Sequence, residues 1–308
     1  MQIIFLGTAG SIPTPKRNLP SILIRREGEQ IMFDCGEGTQ RQMIKAGVGF
    51  HRKMKIFITH MHGDHVLGLP GLVQTMALLG RTEKLDIYGP AGIREFMEGI
   101  SETVQFNLTF PLEIHEVREA GTICKEKCYE IKALWADHFT PSLAYALVEN
   151  PRPGKFYPKK AKAIGVPEGP LWGKLQRGEV VQLPDGRVIR PEDVLGPPRR
   201  GRKIVYTGDT RPFDGLVDFA AEADVLIHDS TLSDELAERA KEDGHSTPSQ
   251  AAEIAKRAQV KKLVLTHISA RYADAEILLA QARSIMENTV VAEDFLKIDV
   301  PLSDEKFS

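Results

Sequence analysis

Three histidines and an aspartate, His60, His62, Asp64 and His65, crowd into six positions of the run T-H-M-H-G-D-H. Imidazole and carboxylate donors at this density suit a divalent cation far better than a protein core. On a tight loop, alternate residues such as His60 and His62 can turn toward one ion, while Asp64 and His65 face a second nearby. The donor set suits zinc, with manganese or iron also compatible. The alternative is a surface loop that happens to carry three of the nine histidines. Their clustering argues against it.

The flanking segments say how such a loop would be held. Met54–Thr59 is an apolar, β-rich run, and V-L-G-L-P-G-L-V-Q-T-M-A-L-L after the loop reads as a buried helix reaching about Leu79. A strand–loop–helix junction is where open α/β sheets place their chemistry. Further strands are expected at Ile3–Leu6, Ile22–Arg26, Ile31–Asp34, Leu85–Tyr88, Leu112–Val117, Tyr129–Trp135, Leu143–Val148, Lys203–Tyr206, Val225–His228 and Leu263–Thr266. The turn Arg26–Glu29 fits a hairpin. Helices are expected at Glu37–Ala46, from near Pro90, at Ser249–Ala258 and at Ala273–Met286. Strands alternating with helices imply an α/β fold of two sheets covered by outer helices, with loops of both halves meeting at one edge.

A chain of 308 residues can bury a large core. No apolar run approaches the roughly 18 residues of a membrane span, and the N-terminus reads as a first strand instead of a signal peptide. Three cysteines, Cys35, Cys124 and Cys128, are too few and too uneven for a secreted disulfide scaffold. A cytoplasmic protein is the expectation.

Residues 151–203 differ from the rest. They hold nine of the 19 prolines, eight glycines, and 13 Lys/Arg against five Asp/Glu. The segment is therefore +8, and the remainder of the chain −10. With little helical or strand periodicity, it reads as a flexible basic arm inserted into one domain spanning 1–308. Charge of this sign grips phosphates without reading sequence, through counterion release. Lys155, Lys159, Lys160 and Lys162 form one cluster; Arg199, Arg200, Arg202 and Lys203 form another. Phe156, Tyr157 and Trp172 lie between them, placed either to stack on bases or to pack the arm onto itself. A solvated basic loop is the plainer alternative.

Four later residues are candidate partners of the first cluster. His138 ends the strand C-Y-E-I-K-A-L-W-A-D-H, Asp209 follows K-I-V-Y in T-G-D-T, and His267 ends K-L-V-L-T-H. His245 lies in D-G-H-S-T-P-S-Q before a helix. Three of the four stand where a strand gives way to a loop, as His60 does, which favours a binuclear site.

The pattern H-x-H-x-D-H, a lone His, a G-D-T aspartate and a late strand-end His resembles the metallo-β-lactamase superfamily. Within it the chain is similar to the ribonuclease Z family, which processes tRNA 3′ ends. The strings carrying this are F-L-G-T at Phe5–Thr8, F-D-C-G-E-G-T-Q at Phe33–Gln40, the metal loop, H-F-T-P-S at His138–Ser142, G-P-L-W-G-K-L at Gly169–Leu175, Y-T-G-D-T at Tyr206–Thr210 and H-S-T at His245–Thr247. The metal loop alone indicates only the superfamily; the insertion, G-E-G-T-Q-R-Q and H-S-T point to the family.

The resemblance implies an αββα sandwich and two zinc ions per subunit. His60, His62 and His138 would take one and Asp64, His65 and His267 the other, with Asp209 bridging. Asp34 would orient a ligand histidine from behind, against a simpler role as a turn-forming Asp. Asp64 would accept a proton and hold the nucleophile. His245 would donate a proton to the leaving oxygen or stabilise the phosphoryl group, against a capping role that Ser246, Thr247 and Ser249 can fill without it. The implied substrate is precursor tRNA, cut to a 3′-hydroxyl on the tRNA and a 5′-phosphate on the trailer. A homodimer is implied too, each arm serving the other subunit's site and holding the tRNA elbow. The family's N-terminal pattern P-x-K-x-R-N is shifted here: P-T-P-K-R-N puts Lys16 one place late, with Pro15 where the lysine would stand.

Two rival readings keep the same metal loop. One is a small-molecule ester hydrolase or phosphodiesterase of the superfamily, for which a basic insertion has no evident use. The other is a non-catalytic RNA-binding protein, a class that usually lacks some of the seven ligand candidates present here.

Overall fold

The computed structural model describes residues 1–303. Two seven-stranded sheets carry the architecture. The first runs in the order Lys297–Asp299, Gln2–Gly7, Ser21–Arg26, Glu29–Phe33, Met54–Phe57, Leu85–Gly89, Leu112–Glu116. The second runs Thr289–Val291, Leu263–Thr266, Val225–Asp229, Lys203–Tyr206, Leu143–Glu149, Tyr129–Trp135, Gly121–Lys125. Each contains four consecutive parallel strands, from Glu29–Phe33 to Leu112–Glu116 in the first and from Lys203–Tyr206 to Thr289–Val291 in the second. Parallel strands need crossover connections, which is why helices follow them in sequence.

Between the sheets lies an aromatic layer. Phe33 of the first sheet stacks on Tyr145 and Tyr206 of the second, and Phe57 meets Tyr145 edge-on, with ring centroids 5.5–5.9 Å apart. Both tyrosines are buried and find partners for their hydroxyls: Tyr145 donates to the Ile58 carbonyl (2.6 Å) and Tyr206 to Asp34 Oδ2 (2.8 Å). The outer face of the first sheet is covered by Met43 of helix Thr39–Lys45, by Leu69, Leu72, Val73 and Met76 of helix Gly68–Leu78, and by Ile93 and Met97 of helix Ile93–Thr103. Helix Pro248–Arg257 packs on strands Val225–Asp229 and Leu263–Thr266 of the second sheet. Thr247 caps it: its hydroxyl accepts from Gln250 N while the Gln250 side chain accepts from Thr247 N. This is the αββα arrangement expected. The strands Gly121–Lys125, Thr289–Val291 and Lys297–Asp299 and the helix Asp214–Ala220 were not anticipated. The three residues of Thr289–Val291 and of Lys297–Asp299 are too few for a two-residue period to declare itself.

The chain divides into two compact units. One comprises Met1–Lys125, Ile131–Leu147 and Lys203–Val300; the other is built on Val148–Arg202 with Glu126–Glu130. The second unit corrects the expectation that residues 151–203 hold little regular structure. It holds helices Pro158–Ala163, Pro170–Gln176 and Pro191–Val194, and a hairpin of Val181–Gln182 with Val188–Ile189. Ala161, Val166, Leu175, Val181, Leu183, Ile189 and Val194 form its own buried cluster. Prolines concealed these helices, because each opens with Pro at the first turn, where a missing N–H costs nothing. Every element is too short to show a period, and only their assembly makes a core.

Arg202 is also corrected as an RNA contact. It is buried and forms a two-point ion pair with Glu149, Nε to Oε2 at 2.6 Å and a second guanidinium nitrogen to Oε1 at 2.7 Å. Its charge is neutralised inside the unit. Lys155, Lys159, Lys160 and Lys162 are exposed, whereas Arg199 and Arg200 are half-buried. Phe156 and Trp172 pack against the small core and each other, 5.1 Å between centroids, so these two serve the unit's own packing. No helix among the described residues is long and apolar enough to cross a membrane. The three cysteines are free thiols, Cys35 and Cys124 buried and Cys128 exposed.

Candidate metal centre

The donors come from strand ends. Asp34 follows Glu29–Phe33, His60 follows Met54–Phe57 by three residues, Asp209 follows Lys203–Tyr206 by three, Asp229 ends Val225–Asp229, and His267 follows Leu263–Thr266 directly. All five strands are members of the parallel runs, so their C-terminal ends point to one edge. His65 lies on the short helix Gly63–Val66. His138 and His245 arrive on loops.

Every ligand candidate from the sequence is brought to this edge. Donor atoms of His60, His62, His138 and Asp209 all lie within 4.8 Å of one another, and so do those of Asp64, His65 and His267. Asp209 reaches both groups: Oδ2 is 3.7 Å from His60 Nε2 and 3.3 Å from His267 Nε2, and Oδ1 is 3.4 Å from His65 Nε2. Asp64 Oδ2 lies 3.5 Å from His65 Nε2 and 3.4 Å from His267 Nε2. Four donors about 2.1 Å from one tetrahedral cation would stand about 3.4 Å apart.

The hydrogen bonds explain why the Nε2 atoms converge. Four of the ligand-candidate histidines have their Nδ1 held by protein. His60 Nδ1 donates to the Thr59 hydroxyl (3.0 Å), His65 Nδ1 to Asp34 Oδ2 (2.7 Å), His138 Nδ1 to the Gly244 carbonyl (2.8 Å) and His267 Nδ1 to the Thr231 hydroxyl (2.8 Å). Each bond selects the tautomer that leaves an Nε2 lone pair facing the centre. The Thr59 and Thr231 hydroxyls in turn donate hydrogen bonds to Asp34 and Asp229. His60 Nε2, His138 Nε2 and Asp209 Oδ1 are buried with no hydrogen-bond partner. Buried orphans of this kind carry a desolvation cost unless something binds them. Their chemistry fits a divalent cation.

Backbone strain accompanies this geometry. Asp34 and His267 adopt left-handed conformations, φ 56° and 60°, that cost a non-glycine residue about 1–3 kcal/mol. Gly244, at φ 79°, sits so close that a Cβ would lie 2.6 Å from His138 Nδ1.

Charge follows from burial. Burial, with the charge of His65 beside it, holds His60 well below the ordinary imidazole range, and burial lowers His138. Both are thereby neutral donors. Burial would lower His65 too, but the carboxylates of Asp209, Asp34 and Asp64 more than offset it and raise it well above that range. Asp209 and Asp64 stay ionised despite burial because His65 and His267 face them. The field that keeps a proton on His65 favours any cation in its place.

One partner escaped the sequence reading. Asp229 Oδ2 accepts from His245 Nδ1 at 2.8 Å, and Asp229 Oδ1 accepts from Thr231 N and its hydroxyl. Burial would depress the His245 imidazole, but Asp229 pushes it up to about 9. The available signal was H-D-S-T at the end of Val225–Asp229, a strand-end carboxylate of the same kind as Asp209.

Comparisons with known proteins agree with this picture. Residues 1–148 match the family model described as Anti-Pycsar protein Apyc1, and residues 190–268 match the Beta-lactamase superfamily domain. A protein of Methanosarcina acetivorans described as Ribonuclease Z is 50% identical over 99% of this chain and 100% of its own length. One of Haloferax volcanii with the same description is 48% identical, covering 99% of this chain and 96% of its own. Among solved structures, the short form of human tRNase Z superposes with a TM-score of 0.72 at 32% identity, over 98% of this chain and all of that one.

Proposed function

The chain belongs to the ribonuclease Z family, and we infer that it is a metal-dependent endoribonuclease that cuts the 3′ trailer from precursor tRNA. The tRNA would keep a 3′-hydroxyl and the trailer a 5′-phosphate. The observation that carries the reading is the position of Asp209 within 3.3–3.7 Å of histidines from both donor groups.

We assign His60, His62, His138 and Asp209 to one cation and Asp64, His65, His267 and Asp209 to the other, two zinc ions per subunit. Four carboxylates, Asp34, Asp64, Asp209 and Asp229, surround the centre, three of them buried. Bound there, the two ions supply Lewis acidity toward a water and toward the phosphodiester.

The chain's own groups do the rest. Asp64 Oδ2 accepts a hydrogen bond from Ser11 N at 2.9 Å, which fixes the carboxylate as the acceptor of the water's proton. Asp34 holds Nδ1 of His65 and thereby its ring plane. Asp229 takes Nδ1–H of His245, so the Nε2 proton faces the reacting phosphodiester. As the O3′–P bond breaks, that proton passes to the leaving 3′-oxygen.

Exposed Lys155, Lys159, Lys160 and Lys162 support folded RNA as the ligand of the second unit. Lys160 and Lys162 lie over the Tyr157 and Trp172 rings, at 5.0 and 5.6 Å. For homodimerisation the support is a set of large apolar side chains, Ile44, Leu67, Leu78 and Leu79, all more than half exposed. Leu78→Glu should then sediment as a monomer. Three free cysteines suit the reducing cytoplasm.

The direct test is cleavage of a 3′-extended tRNA by the purified protein with and without chelator, with both product ends mapped. Hydrolysis of a small phosphodiester without tRNA cleavage would favour the small-molecule rival. RNA binding without hydrolysis of either would favour the non-catalytic one.

A further inference from the structure

We propose that the exposed ring of Phe139, backed by the Arg211 guanidinium, is a stacking platform for the base of the nucleotide that carries the leaving 3′-oxygen. The proposal rests on the endonuclease reading and says where the last retained base of that substrate lies.

A single exposed apolar side chain is ordinary. Phe139 is exposed by 62%, yet its ring is pinned. The Arg211 guanidinium carbon sits 4.4 Å from the ring centroid. That guanidinium is fixed in turn, donating to Asp137 Oδ1 at 3.1 Å and to the Lys241 carbonyl at 2.6 Å. The backbones of Asp137 and Arg211 are bridged as well. The His138 ring stands 5.7 Å away and tilted by 50°. One face of Phe139 is covered by a held cation, and the large exposed remainder leaves the other face to solvent. A rigid aromatic face beside a phosphodiester site is what an unpaired nucleobase stacks on, and stacking tolerates any base.

Position selects which base. The rings of His138 and His245 are 5.5 Å apart. Gly244, the residue before His245, is a wall shared by His138 and Phe139: a Cβ there would meet His138 Nδ1 at 2.6 Å and a Phe139 ring carbon at 3.1 Å. Phe139 therefore lies on the side of the centre where His245 serves the leaving oxygen. In an in-line displacement the nucleophile enters from the opposite side of phosphorus. The ribose bearing O3′, and its base, are thus on the Phe139 side.

The test uses the metal-loaded full chain as parent, Phe139→Ala and Phe139→Trp. Three substrates are compared: a 3′-extended tRNA, the same RNA abasic at the last retained nucleotide, and a small phosphodiester whose ester groups carry no aromatic ring. Phe139→Ala should lower kcat/KM about tenfold on the intact RNA, the scale of one lost base stack. Phe139→Trp should restore it. The abasic RNA should be cut equally by parent and Phe139→Ala, and the small diester should be hydrolysed equally. Unchanged cleavage of intact RNA by Phe139→Ala, or an equal loss on the abasic RNA or the small diester, overturns the platform. So does a change in oligomeric state, which would assign the ring to a subunit contact. A parent that hydrolyses the small diester but leaves extended tRNA uncut overturns the endonuclease reading itself, and the platform with it.

Discussion

His245 Nδ1 lies 2.8 Å from Asp229 Oδ2, a contact between a loop histidine and the last residue of a central parallel strand. Asp229 is buried and cannot reorient, because Thr210 N, Thr231 N and the Thr231 hydroxyl also donate to it. The loop histidine thus borrows its orientation from the sheet.

That relationship sets a pH dependence. With its folded-state value at about 9, against an ordinary 6.5, His245 keeps its proton through neutrality. The donor activity it supplies should be full below that value and fall as pH rises through it. Asp229→Asn removes the largest influence opposing burial, leaves only the smaller pull of Asp209, and moves the alkaline fall to lower pH. The pH profiles of single-turnover cleavage by parent and variant measure this; coincident alkaline limbs would refute it. The stability from the pairing has the same sign: present below about 6.5 and lost as pH rises toward 9.

Asp209→Ala should remove the carboxylate common to both donor groups. Since outer-shell changes alone cost about 10–100-fold in affinity or activity, cleavage should drop by more than about 100-fold. Elemental analysis should find fewer ions per chain than in the parent. Full metal content in an inactive variant would separate chemistry from binding and refute the bridging assignment.

Arg202→Met should destabilise strongly, by about 3–5 kcal/mol, because it removes the two-point cationic partner of the buried Glu149 carboxylate. Combining it with Glu149→Leu should recover most of the loss. Denaturant titrations measure both. If Arg202 instead contacted RNA, the single variant would lose tRNA affinity at unchanged stability.

Replacing Lys155, Lys159 and Lys160 by Ala should reduce the slope of log affinity for tRNA against log salt by up to about 3, with small-diester hydrolysis unchanged. Lys162→Ala should contribute less, because its ammonium already lies 3.0 Å from Glu168. An unaltered salt slope in the triple variant would move the RNA contact elsewhere.

Read alone, the chain declared the donor types of the centre, because T-H-M-H-G-D-H is local and strand-end positions follow from hydrophobic period. It also declared the sheets, since Met54–Phe57 or Lys203–Tyr206 carry their pattern within four residues. Only tertiary structure decided which carboxylate faces which histidine. Asp34 and His65 are 31 positions apart, and His267 and Asp64 are 203 apart. The same holds for Arg202, whose charge counts toward the basic segment yet is cancelled by Glu149, 53 residues away. Residue type and period are properties of neighbours along the chain. Charge compensation, tautomer choice and the core of the second unit depend on which distant groups share a low-dielectric space, and that is settled only when the chain closes on itself.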